Sequence, residues 1–378
     1  MKKNIFLPML LLFFAVFGFQ QIAQADTITQ EIKSLEEPKW VFQSGASRAK
    51  NHDRQDLGIV MSPGSTIKIR KKRTDDGYKE LKLWILGNNR NEEQEITLTT
   101  QWKTISTNYA GVPFINTPYG KNKTEVEYET TGPIITLPIY KTTEEETKFF
   151  ETWDTLKAPF SLIKGHNFQL LAPLKEKEKI KKLPTFKNLN EYIAYQEEII
   201  DYYDELIGLS SDQTGINKKP LNRFFLKADG GVKPGVGAFY SVNYTANGTA
   251  SVTNMWMTRN SWGTLHEIGH AYQPSYNNKG IYTGEVTNNL MATLYLSKYM
   301  GKDYVENVSP LFRNGKKKTV EEKVYRQIWE EGVRYNTLGN DHWTRLILLT
   351  SVIQTGGPEA WINLNKESRP PVTAKAPI

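Results

Sequence analysis

Between Trp40 and Tyr140, apolar residues recur at every second position in short runs. "STIKIRKK" sets Ile67 and Ile69 against charged neighbours, "KELKLWIL" does the same with Leu81, Leu83 and Ile85, and "QEITLTTQW" with Ile96 and Leu98. A period of two is the pleat of a half-buried strand. "TEVEYETT" and "IITLPIY" continue the pattern, with Pro133 and Pro138 suggesting an edge strand or bulge. The turn-forming stretches "SPGS", "GNNRN" and "TPYGKNK" separate these runs, which predicts a small antiparallel sandwich.

After Tyr140 the period lengthens. "TEEETKFFETWDTL" opens with acidic residues, as suits the N-terminal end of a helix dipole. "NEYIAYQEEIIDYYDELIGL" puts Tyr192, Ile199, Tyr203 and Leu206 on one helical face. "ADGGVKPGVGAFYSVNYTANGTASVTNMWM" reads as a glycine-rich loop and then a hairpin turning at Asn247-Gly248. The loop lacks the Gly-Lys-Ser/Thr ending of a phosphate-binding loop, so nucleotide binding is set aside. From Trp262 onward the pattern is mostly helical, most clearly in "TVEEKVYRQIWEEGVRYNTL" and "HWTRLILLTSVIQ". The expected class is α+β, with a β-rich N-terminal domain over 26–150 and a linker with a helix over 151–187. A mainly helical domain over 188–366 and a disordered tail over 367–378 complete the division.

The first 25 residues change the setting. Lys2 and Lys3 precede an apolar run from Ile5 to Phe19, and "AQA" at Ala23–Ala25 is a small-residue cleavage site. This reads as an export signal cut after Ala25, giving a secreted protein with no membrane span. Without Lys2 and Lys3 there are 46 basic and 41 acidic residues, a formal charge of +5. The positive charge sits in separate runs, "RKKR", "KEKEKIKK" and "GKKK", so no nucleic-acid partner is expected. Such a surface still suits acidic partners, such as sialylated or sulfated glycans. The chain has no cysteine. Stability then rests on core burial or a metal, and any metal site must use nitrogen and oxygen donors.

Two of the five histidines fall in "TLHEIGHAYQ". On a helix, residues i and i+4 share a face, so His266 and His270 can turn both imidazoles to one ion, with Glu267 beside it. Two incidental histidines on an exposed helix are the bland alternative. A catalytic zinc takes three protein ligands and keeps one position for water. Glu285, in "YTGEVTNNLMATLYLSKYM", is the next carboxylate downstream. It reads either as the third ligand, brought back by a helix–loop–helix return, or as an ordinary first-turn glutamate. Ligating histidines hand their second ring hydrogen to an acceptor; the amide oxygen of Asn288 or of Asn289 can orient His266, and an ordinary solvent-facing position explains both asparagines equally well.

"HEIGHAYQ" followed by "GEVTNNL" resembles the enhancin-like M60 zinc metallopeptidases, as do Trp262, Gln273 and the earlier "RQDLGIVMSPGSTIKI". The resemblance runs over about residues 40–355. It implies a gluzincin-type catalytic domain after the sandwich-like domain, one Zn2+ per chain, and endopeptidase action on mucin-like, O-glycosylated proteins. In that reading His266, His270 and Glu285 bind the metal and Glu267 moves the protons of an attacking water. Tyr282, Tyr335 and His342 are candidate oxyanion donors. Tyr240, Asn243, Tyr244 and Trp256 are candidate substrate contacts beside an edge strand. A monomer is expected. Two competing functions are a general secreted zinc protease without glycan dependence, and a glycan-binding or adhesive protein with a non-catalytic metal site.

Overall fold

The computed structural model describes residues 26–46, 48, 50–274, 283–312, 315–338 and 341–369. The export signal over 1–25, Tyr282 and the tail from 370 onward lie outside the described residues.

The alternating runs form two antiparallel sheets. One runs in the order β1 (Ile28–Ile32), β9 (Thr124–Thr131), β4 (Thr66–Lys71), β7 (Lys103–Ser106). The other runs β2 (Arg54–Asp56), β8 (Val112–Asn116), β5 (Leu81–Leu86), β6 (Gln94–Leu98). A short pair joins β3 (Ile59–Met61) to β10 (Ile134–Thr136). Ile67, Ile69, Val126 and Tyr128 of the first sheet meet Leu81, Leu83, Ile85 and Ile115 of the second in a closed apolar layer. The outer face of β4 and β9 carries cross-strand ion pairs instead, Lys68–Glu129 at 3.1 Å and Arg70–Glu127 at 2.7 Å, so this basic run faces carboxylates of its own sheet.

A third layer lies against the second sheet. Six strands follow the order β11 (Ile139–Lys141), β12 (Phe160–Lys164), β13 (Phe168–Pro173), β14 (Phe224–Ala228), β16 (Thr245–Asn247), β15 (Ala238–Tyr240). The pairings are mixed: β11–β12, β13–β14 and β14–β16 are parallel, while β12–β13 and β15–β16 are antiparallel. Phe114 of β8 meets Phe225 of β14 edge-on, with ring centroids 5.0 Å apart. The sandwich and the six-stranded sheet therefore share one core.

This corrects the expected organisation. Residues 151–187 are not a linker: they contain β12 and β13, whose residues are buried along nearly their whole length. The expected α+β class holds, and the helices of the second half pack on the six-stranded sheet. The hairpin turns at Ser241–Tyr244 rather than at Asn247-Gly248, because Ser241 Oγ accepts from the N–H groups of Asn243 and Tyr244 and closes the turn itself. Arg369 does not belong to a disordered tail, since it is buried and its guanidinium donates to the Ile207 carbonyl and to Asn217 Oδ1.

The helices are α1 (Lys39–Gln43), α2 (Glu146–Leu156), α3 (Lys177–Ile180), α4 (Leu189–Leu206), α5 (Trp262–Gly269), α6 (Gly284–Met300), α7 (Lys302–Asn307), α8 (Lys317–Tyr325) and α9 (His342–Glu367), the last kinked at Gly357-Pro358. α4 buries Tyr192, Ile199, Tyr203 and Leu206 as its periodicity predicts. α4, α5, α6 and α9 form the helical layer that carries the two histidines. Among the described residues no helix is long and apolar enough to cross a membrane.

Candidate metal centre

α5 starts where Ser261 caps it, its side chain accepting from the Thr264 N–H. The capped helix puts His266 on its last turn, and His270 follows in a single 3-10 turn. The two imidazole centroids stand 5.0 Å apart and nearly perpendicular. α6 returns antiparallel to α5 and brings Glu285 in its first turn to the same point. Glu285 Oε2 lies 3.2 Å from His266 Nε2 and 3.5 Å from His270 Nε2. The structure thus brings together the three side chains that sequence spacing proposed as ligands.

The two asparagines divide their work. Asn289 Oδ1 accepts from His266 Nδ1 (2.8 Å) and from Trp262 Nε1 (2.9 Å), while its amide donates to the Glu285 carbonyl (2.7 Å). A hydrogen on Nδ1 leaves the lone pair of His266 on Nε2, which faces Glu285. Asn288 does something else: its Nδ2 sits 2.9 Å from both Nε2 atoms and 3.2 Å from Glu285 Oε2. A side-chain N–H donor therefore stands where two imidazole nitrogens and a carboxylate oxygen converge, in the position a cation could take. Its own Oδ1 is buried without a partner. Two imidazole nitrogens and a carboxylate oxygen converging in this way fit a divalent metal of the zinc type.

Glu267 has a separate position. It is buried, its Oε2 is 3.8 Å from His270 Nε2, and that oxygen has no hydrogen-bond partner. His266, Glu267 and His270 offer donor atoms within 4.8 Å of one another. The Glu285 oxygen approaches both Nε2 atoms, whereas Glu267 is placed against one.

The surroundings tune these groups apart. Burial pushes the Glu267 carboxyl up to about 7, the neighbouring Glu285 adding to it, while the charges of His266 and Arg48 and the Tyr240 backbone N–H oppose the rise. Without a metal, a second proton on His266 Nε2 can bond Glu285, and that hydrogen bond holds the Glu285 carboxyl down at about 2. Burial lowers His270 to about 4, whereas His266 is raised because its hydrogen bond to Glu285 and the charge of Glu267 outweigh burial. Two carboxylates with opposite shifts suit different roles, one ionised ligand and one proton carrier.

The remaining site expectations fare less well. Trp256 is fully buried, with Nε1 donating to the Lys227 carbonyl, and Tyr244 is buried with its hydroxyl on Glu93. Tyr240 is 6 % exposed, its ring tilted against His270 at 6.2 Å. These three aromatics are buried in the core and offer no exposed ring face to a substrate. Asn243 alone of the four is partly exposed. Tyr335 lies beneath the Arg345 guanidinium, 5.4 Å from ring centroid to charge, and His342 opens α9 with Nδ1 buried and unpartnered. Sequence reading missed Arg48, an exposed cation on the loop after α1 whose charge reaches Glu267, His270 and Tyr240. No local pattern marks it, since its charge acts across the fold.

Comparison with known proteins places this geometry. Residues 134–376 match the family described as Peptidase M60, enhancin and enhancin-like. The viral-enhancing factor of Pseudalatia unipuncta granulosis virus is 28% identical over 284 residues, covering 73% of this chain and 30% of that protein. The chain thus spans about a third of the length of the curated relatives it matches. Among solved structures, a conserved protein of unknown function from Bacillus anthracis str. Ames superposes with a TM-score of 0.71 at 14% identity, covering 90% of this chain and 67% of that one. The catalytic module of the metalloprotease ZmpA from Clostridium perfringens gives 0.65 at 17% identity, covering 92% and 70%. A metallopeptidase in complex with Tn antigen (TM-score 0.64, 14% identity) and IMPa from Pseudomonas aeruginosa in complex with an O-glycopeptide (0.57, 15%) share the fold too, each over 90% of this chain and over 64% and 42% of their own. With a match running through both histidines, Glu267 and Glu285, this chain belongs to the Peptidase M60, enhancin and enhancin-like family.

Proposed function

We propose that this protein is an exported, zinc-dependent endopeptidase that cleaves the polypeptide of O-glycosylated, mucin-like proteins. The observation that carries the peptidase reading is the position of Glu285 Oε2, within 3.5 Å of both imidazole Nε2 atoms, beside a buried Glu267 whose Oε2 has no partner. A purely structural metal has no use for that spare carboxylate.

His266, His270 and Glu285 would hold the metal, which supplies Lewis acidity toward a water and the scissile carbonyl. The chain does the rest. Asn289 fixes the ring of His266 by accepting from Nδ1. Glu267 takes a proton from the attacking water and delivers it to the leaving amine, a role its buried, unpartnered Oε2 is free to perform. The Tyr240 N–H points to the same carboxylate, so the edge strand β15 is aligned with the proton carrier. β15 ends the six-stranded sheet and can pair an extended peptide through backbone hydrogen bonds.

The glycan part of the proposal draws on the family resemblance and on fold neighbours solved in complex with Tn antigen and with an O-glycopeptide. A peptidase indifferent to glycans is the second reading, favoured by the burial of Tyr240, Tyr244 and Trp256. The experiment is digestion of a mucin-type glycoprotein before and after enzymatic deglycosylation, with and without a chelator, followed by mapping of new termini. Chelator-sensitive cleavage lost on deglycosylation supports the first reading. Cleavage that persists on the bare polypeptide supports the second.

A further inference from the structure

The hairpin beside Glu267 is gripped by a strap from the N-terminal half. Lys50, His52 and Arg54 alternate along an extended segment, are at most 1 % exposed, and all turn toward the six-stranded sheet. The Lys50 ammonium lies 5.0 Å from the centre of the Phe224 ring. The His52 ring sits between Phe224 (5.9 Å) and Tyr240 (4.9 Å), and its Nε2 donates to the Ser241 carbonyl at 2.7 Å. Arg54 lies over Phe225 at 5.0 Å and donates to the Asn243 carbonyl at 2.7 Å. Both carbonyls belong to the turn between β15 and β16. Asp53, pointing the other way, fastens the strap by accepting from Thr117 Oγ1 and from the backbone and guanidinium of Arg223. The sandwich also touches the hairpin elsewhere, with Arg90 over the Phe239 ring at 4.3 Å and Tyr244 donating to Glu93 at 3.0 Å.

A segment built for stability alone would carry apolar residues at these positions. Lys50 Nζ, His52 Nδ1 and Arg54 Nε and Nη1 are all buried without hydrogen-bond partners, and an unpaired buried cation loses solvation that aromatic contacts only partly replace. What His52 and Arg54 do hold is the hairpin turn, while Lys50 packs beside them on β14. From there the path to the site is short, because the Tyr240 ring that stacks on His52 also lies 6.2 Å from the His270 ring.

We propose that His52 and Arg54, with Lys50 beside them, are positioning residues: the strap fixes β15 in register over Glu267, so that the sandwich is a working part of the active site and not a separable module. The proposal rests on the peptidase reading above for its effect on catalysis, while its structural half is testable without activity.

The test uses the full chain with His52→Leu, which keeps the volume and removes the donor, and His52→Gln, which restores an N–H near the position of Nε2. On a glycoprotein substrate, the zinc-loaded Leu variant is expected to lose roughly 10- to 100-fold in kcat/KM, mostly through KM, with unchanged zinc content, and the Gln variant to recover most of it. In metal-free protein, amide hydrogen exchange over residues 238–247 is expected to quicken for Leu and not for Gln, with α5 and α6 unaffected. Wild-type kcat/KM and exchange in the Leu variant would overturn the proposal, as would equal losses in Leu and Gln without a change in exchange. If His52→Leu does not fold, Arg54→Met carries the same expectations, with Arg54→Lys as its conservative partner. A wild-type chain that cleaves nothing defeats the peptidase reading, and the exchange comparison alone then decides the strap.

Discussion

Gly269 and Asn288 are in contact so close that a methyl group on Gly269 would meet the Asn288 Cα and Cβ at 3.0 Å and its carbonyl oxygen at 3.1 Å. The motif needs glycine here for space, since its backbone is ordinary helix, with φ of −57°. This contact sets the separation of α5 and α6, and so the distance from the imidazoles to Glu285. Gly269→Ala is expected to force the helices apart, costing about 1–3 kcal/mol of stability and weakening zinc binding more than the fold. Thermal melts with and without zinc check both effects.

The two asparagines of α6 should respond in opposite ways. Asn289→Ala removes the acceptor that orients His266 and leaves Trp262 Nε1 without its partner; zinc affinity is expected to fall about 10- to 100-fold. Asn288→Ala removes the amide that stands among the ligand atoms, so affinity is expected to hold or rise. Competition titrations against a chromogenic chelator measure each.

Glu176 predicts where acid stability fails. Burial alone would raise its carboxyl, but the N–H groups of Thr253 and Val252 and the hydroxyls of Ser251 and Thr253 bring it below 4.5. A depressed folded pKa gives stability that is complete above the unfolded value and is lost as pH falls through the folded one. Glu176→Gln is therefore expected to cost about 1–3 kcal/mol at pH 7, with the difference from wild type closing below about pH 4. Urea melts of both proteins across pH 3–7 measure this.

The shared core makes a claim about unfolding. Phe114 belongs to the sandwich, yet its ring meets Phe225 of the six-stranded sheet. Phe114→Ala is expected to cost about 3–5 kcal/mol and to lower a single transition for both halves. Calorimetry that resolves two transitions, only one of them shifted, would contradict the shared core.

Much of this was legible in the sequence, and the exceptions have physical causes. The sandwich strands alternate because one face of each meets the core, as in β4 and β5. Strands β12, β13 and β14, "FSLIK", "FQLLAP" and "FFLKA", are buried on both faces, so their alternation disappears and a period search passes over them. The His266–His270 spacing and the return to Glu285 are local enough to read directly. The division of roles between Asn288 and Asn289 is not, because the two are identical in chemistry and only the packing of α6 on α5 decides what each amide meets. His52 and Ser241 are 189 residues apart in sequence, and nothing in "KNHDR" announces a contact at that distance.

The central claim is that His266, His270 and Glu285 hold one metal while Glu267 stays free to move protons. The most direct measurement is zinc stoichiometry and glycoprotein cleavage for wild type, Glu285→Ala and Glu267→Gln, side by side. The account expects one zinc in wild type and in Glu267→Gln, cleavage reduced by several orders of magnitude in Glu267→Gln, and loss of both zinc and cleavage in Glu285→Ala. Full zinc occupancy in Glu285→Ala, or undiminished cleavage by Glu267→Gln, would contradict it.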